Sequence, residues 1–244
     1  MAMSRTTDDD ETIRKRSGWW IPLVVFLVTF ALSAIILLIY LAPSAPSLFE
    51  EQVSPTSRGD IVTLQVHGRK FHIPANYLQY ESLRQGGTRR EIALFALLPD
   101  MNGWSNWEAQ TFAGNAPNSP VIYVLIHDEK LNLTEADRLN RVYMGYVTNP
   151  RGETGEFGLR HYKFRQDSGY HAEDLFVGDT ANGPMVLRCV RLSSDVPSPS
   201  CLRDMPVASG VSLSYRFKRA HLAQWREIGD GVDRLLASFQ KRPR

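Results

Sequence analysis

Residues 21–40 read IPLVVFLVTFALSAIILLIY, a stretch without one charged side chain. At about 1.5 Å per residue, a helix of roughly 20 apolar residues crosses a hydrocarbon core about 30 Å thick. The edges fit that span: Trp19 and Trp20 precede it and Tyr40 closes it, where amphipathic rings prefer the interface. Pro22 falls in the first turn, where its missing N–H does least harm. A buried core helix rarely stays apolar on every face for so long. A cleaved signal peptide is the competing reading, with Arg14, Lys15 and Arg16 as its basic start and 42–45 (APSA) as small residues. Its apolar core would normally be about 7–15 residues, and a cut after Ala45 would leave Pro46 next to the scissile bond. The stretch therefore reads as an uncleaved anchor, and Ala31, Ser33 and Ala34 give it a small-residue patch that another helix could approach.

Working outward, the basic residues set the orientation. Arg14, Lys15 and Arg16 lie just before the span, whereas the first basic residue after it is Arg58. The positive-inside rule puts the N-terminus in the cytoplasm and the rest of the chain across the membrane. The organisation expected is a cytoplasmic tail (1–18), a transmembrane anchor (19–42), a Pro/Ser linker (43–58) and one domain (59–244). A formal charge of +2 over 244 residues, with bases dispersed among acids, lacks the basic stripe that nucleic-acid binding needs.

The outer segment reads as short strands between turn signals: 61–66, 158–164 and 211–217 alternate in period two, and 91–98 and 121–127 are apolar enough to be central strands. Residues 61–66, 70–73, 91–98, 121–127, 158–164, 174–177, 185–190 and 211–217 read as strands, with a tight turn at Gly68 and a strong hairpin signal at Asn182-Gly183. Two helices are expected. One, 134–143, opens on Thr134 with Asp137 three residues on. The other, 221–239, carries Leu222, Trp225, Ile228, Val232, Leu235, Leu236 and Phe239 on one stripe, with a kink allowed at Gly229 and Gly231. The sum is an α+β domain, a mostly antiparallel sheet with one or two packed helices. Residues 102–120 read as a long loop.

An exported domain makes Cys189 and Cys201 most simply a disulfide; two buried thiols are the plain alternative, and the spacing is not Cys-x-x-Cys. No nucleophile elbow, Walker loop, zinc-helix motif or dinucleotide fingerprint occurs. No cofactor is expected. The metal candidates are His127 and Asp128 at one strand end and His171 and Glu173 at another, should the two segments meet. For partner contact the candidates are Trp104, Trp107 and Phe112 in the long loop, and Arg160 and Tyr162 in the strand RHYKFR.

Motif order adds a resemblance. The runs 71–78 (FHIPANYL) and 97–101 (LLPDM), the cysteine pair, and the ending Tyr215-x-Phe217, Leu222-x-x-Trp225-x-x-Ile228, Leu235-x-x-Ser238-Phe239 cover most of 60–240. In these the chain resembles uncharacterised single-pass membrane-anchored periplasmic proteins of Gram-negative bacteria. The resemblance implies an inner-membrane setting with the domain in the periplasm, and brings no catalytic residues. The expectation is a non-catalytic interaction protein with a protein partner, either an accessory subunit of a membrane complex or a binder that neutralises a toxin. The alternative is a metal-assisted periplasmic hydrolase.

Overall fold

The structure, a computed structural model, describes residues 18–41, 51–131 and 133–241. Most of the tail and part of the linker lie outside the described residues. The chain divides into two compact units, 1–50 and 51–244. In the first, α1 (Trp20–Leu41) is the one described helix long and apolar enough to cross a membrane.

The second unit is the α+β domain. It begins with β1 (Ile61–Val66) and β2 (Arg69–Pro74), joined by a two-residue turn in which His67 and Gly68 both take positive φ. That geometry is the hairpin turn matching strand twist. A short β3 (Gly87–Thr88) pairs with β1 in parallel and completes a three-stranded sheet. Then follow β4 (Glu91–Leu97), α2 (Ala109–Ala113), β5 (Val121–Asp128), α3 (Glu135–Arg141), β6 (Glu153–Thr154), β7 (Arg160–Lys163), β8 (Glu173–Thr180), β9 (Gly183–Val190), β10 (Ser200–Ala208), β11 (Val211–Lys218) and α4 (Trp225–Gln240). The large sheet is ordered β4-β5-β11-β10-β9-β8-β7-β6, antiparallel throughout.

One face of this sheet carries the main core. Ile92, Leu94, Ile122, Val124, Ile126, Leu213, Tyr215 and Leu187 point there, and α4 and the small sheet cover them. The α4 stripe (Trp225, Ile228, Val232, Leu236, Phe239) is buried as its spacing predicts. The helix runs unbroken through Gly229 and Gly231, where no kink occurs. A Cβ at either glycine would sit 2.5 Å from a methionine Cε, of Met185 and Met101 respectively, so these residues let core side chains come close.

Thr134 caps α3, its Oγ1 accepting from the Asp137 N–H at 3.0 Å. The stretch 102–120 differs from the loop expected: a 3₁₀ turn (Asn106–Glu108) leads into α2. The strand β10 also goes beyond the expectation. Its sequence SCLRDMPVA puts Arg203 beside Asp204 and carries Pro206 near its end, a pattern that reads as loop.

Candidate interaction surface

Among the described residues of this unit, the opposite face of the large sheet is covered at its two sides. Over β7, β8 and β9, the α3 segment and the turn after it pack Tyr143 and Val147 against Tyr162, Phe164, Leu175 and Val186. At the β4 edge, Trp104 and Phe112 pack on Phe95, Leu97 and Val121. Between them the middle strands present Ala93, Tyr123, Leu125, Leu202, Ser214 and Arg216 to a shallow cavity of about 290 Å³. It shares Tyr123 and Arg216 with a second pocket of about 350 Å³, walled by Asn115 and Ser198 and floored by Lys218.

Those walls come from segments singled out by sequence. The Sγ atoms of Cys189 and Cys201 are 2.01 Å apart, on directly paired positions of β9 and β10. The bond closes the 190–200 loop, from which Ser198 Oγ donates to the Asn115 carbonyl at 3.1 Å. Residue 115 follows α2. His221 Nε2 lies 3.1 Å from the Asn118 carbonyl and fixes the same stretch from the α4 side.

The partner candidates separate by burial. Trp107 is 97% exposed and Arg160 is exposed, so both are free to touch another molecule. Trp104 and Phe112 are turned inward, Phe112 with its ring centroid 4.9 Å from that of Phe95. Tyr162 is buried in the α3 cluster. The neighbouring His161 faces the other side, stacks on Phe176 and places Nε2 3.2 Å from Asp174 Oδ1. Burial pushes the Asp174 carboxyl up. Hydrogen bonds from Arg191, Arg219 and His161 outweigh that and hold it below the ordinary carboxylate value.

The metal candidates do not converge. His127 and Asp128 end β5, while His171 and Glu173 begin β8; four strand spacings, about 19 Å, separate these strands. The two strands also run in the same direction, so the end of one and the start of the other lie at opposite ends of the sheet. No group of three or more metal-type ligands occurs among the described residues. This corrects the juxtaposition that a metal-assisted hydrolase needs.

What His127 and Glu173 do join is a polar line across the open face. His127 Nε2 is 3.4 Å from Ser214 Oγ, and Ser214 Oγ donates to Asp204 Oδ1. Asp204 Oδ2 lies 3.7 Å from Arg188 Nη2, and Arg188 Nη1 donates to Glu173 Oε2 at 3.0 Å. The residue types match a hydrolytic triad, but the order is wrong. Nucleophilic activation needs His between Ser and Asp, taking the hydroxyl proton. Here Ser214 commits its proton to Asp204, and His127 Nδ1 sits 3.1 Å from a carbonyl instead of a carboxylate. The line orders side chains on the face and leaves Ser214 unactivated.

Beyond it β9 and β10 part, pairing only at Cys189–Cys201 and Arg188–Leu202. Glu135 fills the split. Its carboxylate accepts from Arg203 Nε (3.0 Å), Arg203 Nη2 (2.6 Å) and the Val186 N–H (2.9 Å). The N–H that β10 leaves unpaired is thereby satisfied by an α3 side chain.

No family model matches the chain, and no curated protein matches it. Among solved structures, it is similar to Smlt3025, an immunity protein of the Stenotrophomonas maltophilia type IV secretion system. That match has a TM-score of 0.52 at 16% identity and covers 74% of this chain and 93% of the other. The iron-regulated outer membrane lipoprotein FrpD of Neisseria meningitidis matches with a TM-score of 0.48 at 14% identity, over 79% and 98% of the two chains. At such identity, the likeness to the immunity protein is one of fold.

Proposed function

We propose that this chain is a non-catalytic, membrane-anchored binder that captures a protein toxin on the open face of its large sheet. With α1 inside it, 19–42 serves as the anchor and 43–50 as the linker, and the domain works in the periplasm. The stretch 51–58, read by sequence as linker, is tied into the domain by the Ser82 N–H to Glu51 and the Ser54 N–H to the Gln79 carbonyl. The observation that carries the reading is the uncovered middle of the sheet, walled by two tied-down loops, on a fold shared with an immunity protein. A face of this kind, with aromatic and aliphatic side chains beside charges and an exposed Trp107 near its α2 rim, suits protein recognition better than a small substrate. Ser214, the hydroxyl that could be a nucleophile on this face, is held in the wrong hydrogen-bond order.

Co-purification of the full-length protein in mild detergent, followed by mass spectrometry, tests this. The expected result is a stoichiometric protein partner lost on Trp107→Ala, with stability changed by no more than about 0.5 kcal/mol, as for an exposed position. A solitary monomer under several extraction conditions, or hydrolytic activity lost in Ser214→Ala, refutes it.

A further inference from the structure

The pocket at one end of the open face carries an unbalanced charge. Arg216 and Lys218 stand two apart on β11 and point to the same side. Lys218 is only 7% exposed. Its Nζ donates to Asn115 Oδ1 at 2.6 Å and to the Ser198 carbonyl at 3.2 Å, both neutral acceptors. The Arg216 guanidinium lies over the Tyr123 ring, 5.9 Å from its centroid. Among the described residues, neither cation makes an ion pair with a carboxylate. The contrast within the same sheet is direct: Arg203 holds Glu135, Arg188 holds Glu173, and Arg191 and Arg219 share Asp174.

Withdrawing an ammonium from water without a counter-charge is unfavourable. Burial, and then the neighbouring Arg216, push the Lys218 pKa below its ordinary value. An anion entering the pocket relieves both. The pocket opens onto the strip of Tyr123, Leu125 and Leu202. A free inorganic anion would leave that strip wet, whereas a protein segment covers it while delivering a carboxylate.

We infer that the pocket between Lys218 and Arg216 receives an acidic side chain, Asp or Glu, of the protein partner, seated beside the Tyr123 ring. This rests on the binder reading above and names the chemistry its partner presents. The site is preformed, because the disulfide-closed loop and the segment after α2 fix both neutral acceptors before anything binds. Pre-organisation of this kind lowers the entropic cost of association.

The test uses full-length protein in detergent micelles with ¹³Cε-labelled lysine, the Lys218 resonance being assigned by its loss in Lys218→Arg. The probes are N-acetyl-glutamate N-methylamide, its glutamine counterpart and inorganic phosphate. The glutamate probe should shift the Lys218 signal saturably, with affinity on the order of millimolar for so few contacts. Arg216→Gln, at an exposed position that leaves the fold intact, should weaken it roughly tenfold, and the glutamine probe should have no effect. An equal response to glutamine, no response to glutamate, or phosphate binding without glutamate binding each overturns the inference. A second arm separates it from the reading it rests on. If the wild-type chain retains its partner and the Arg216→Gln/Lys218→Met variant retains it equally, the pocket assignment fails and the binder stands. A wild-type chain that retains no partner brings down both.

Discussion

Removing the Glu135 carboxylate should cost the domain more stability than the loss of any surface ion pair. The Arg203 side chain is 8% exposed and that of Glu135 is 12%. Burial opposes the Arg203 charge, but the Glu135 hydrogen bonds and the nearby Tyr215 more than compensate, so the guanidinium is held more basic than an ordinary arginine. In Glu135→Ala that guanidinium loses its hydrogen-bonded counter-ion and keeps only the more distant carboxylate of Asp233, a change that costs up to about 3–5 kcal/mol. The Val186 N–H also loses its acceptor, for about 1–3 kcal/mol more. A cleft of about 560 Å³, lined by Glu135, Arg203 and Asp233, admits water to the guanidinium. Solvation there brings the expected total down to about 3 kcal/mol. For a domain of this size that is a fall in Tm of about 10 °C. Thermal and urea unfolding of the full-length protein in mild detergent, followed by near-UV circular dichroism, gives the value. Glu135→Gln keeps an acceptor for Val186 and should fall between wild type and alanine. Glu135→Leu combined with Arg203→Met removes both charges and should recover most of the loss. A Glu135→Ala loss under about 1 kcal/mol, in the range of exposed pairs, would refute the reasoning.

Three further outcomes are expected. Replacing Cys189 and Cys201 with serine opens a loop of sequence separation 12 and should cost about 3 kcal/mol in the chain-entropy model, read as a Tm that no longer responds to reductant. Gly178→Ala places a Cβ 2.3 Å from Trp225 Cη2, and Trp225 is fully buried, so overpacking should cost about 1–3 kcal/mol; a neutral substitution would show that the indole can move. Asp174 has its carboxyl held below its ordinary value of 3.8, so its stabilising contribution is fully present above that pH and is lost as pH falls through the lowered value. Acid unfolding of Asp174→Asn should therefore lack that part of the pH dependence, and unchanged acid profiles would show the cluster to be solvated.

Much of the architecture is local enough to read from the chain. Period-two alternation marks β1 and β11 through the character of successive residues, while unbroken apolar runs mark β4 and β5 as central strands, β4 being packed on both faces over its second half. The stripe of α4 and the cap at Thr134 are equally local. The open face is less legible. Trp104 and Trp107 stand three apart in one segment, yet one packs on Val121 and the other is bare, because a single turn rotates them to different sides. Tyr162 and His161 part in the same way across the plane of the sheet. β10 escapes notice for a different reason. Its Arg203 is acceptable inside only because Glu135, 68 residues away, meets it through the gap between β9 and β10. Pro206, which has no N–H to give, falls where β9 no longer pairs with β10.

By itself the sequence determined the apolar helix, the α+β class, most strands and the cysteine pair, since each rests on the character of neighbouring residues. Tertiary structure alone decided which face of the sheet stays open, that His127 and His171 lie at opposite ends of it, and that Lys218 is buried on two neutral acceptors, with no acid paired to it among the described residues. Those properties depend on which distant segments cover a strand, and side-chain pattern along the chain carries no record of what will be packed above it.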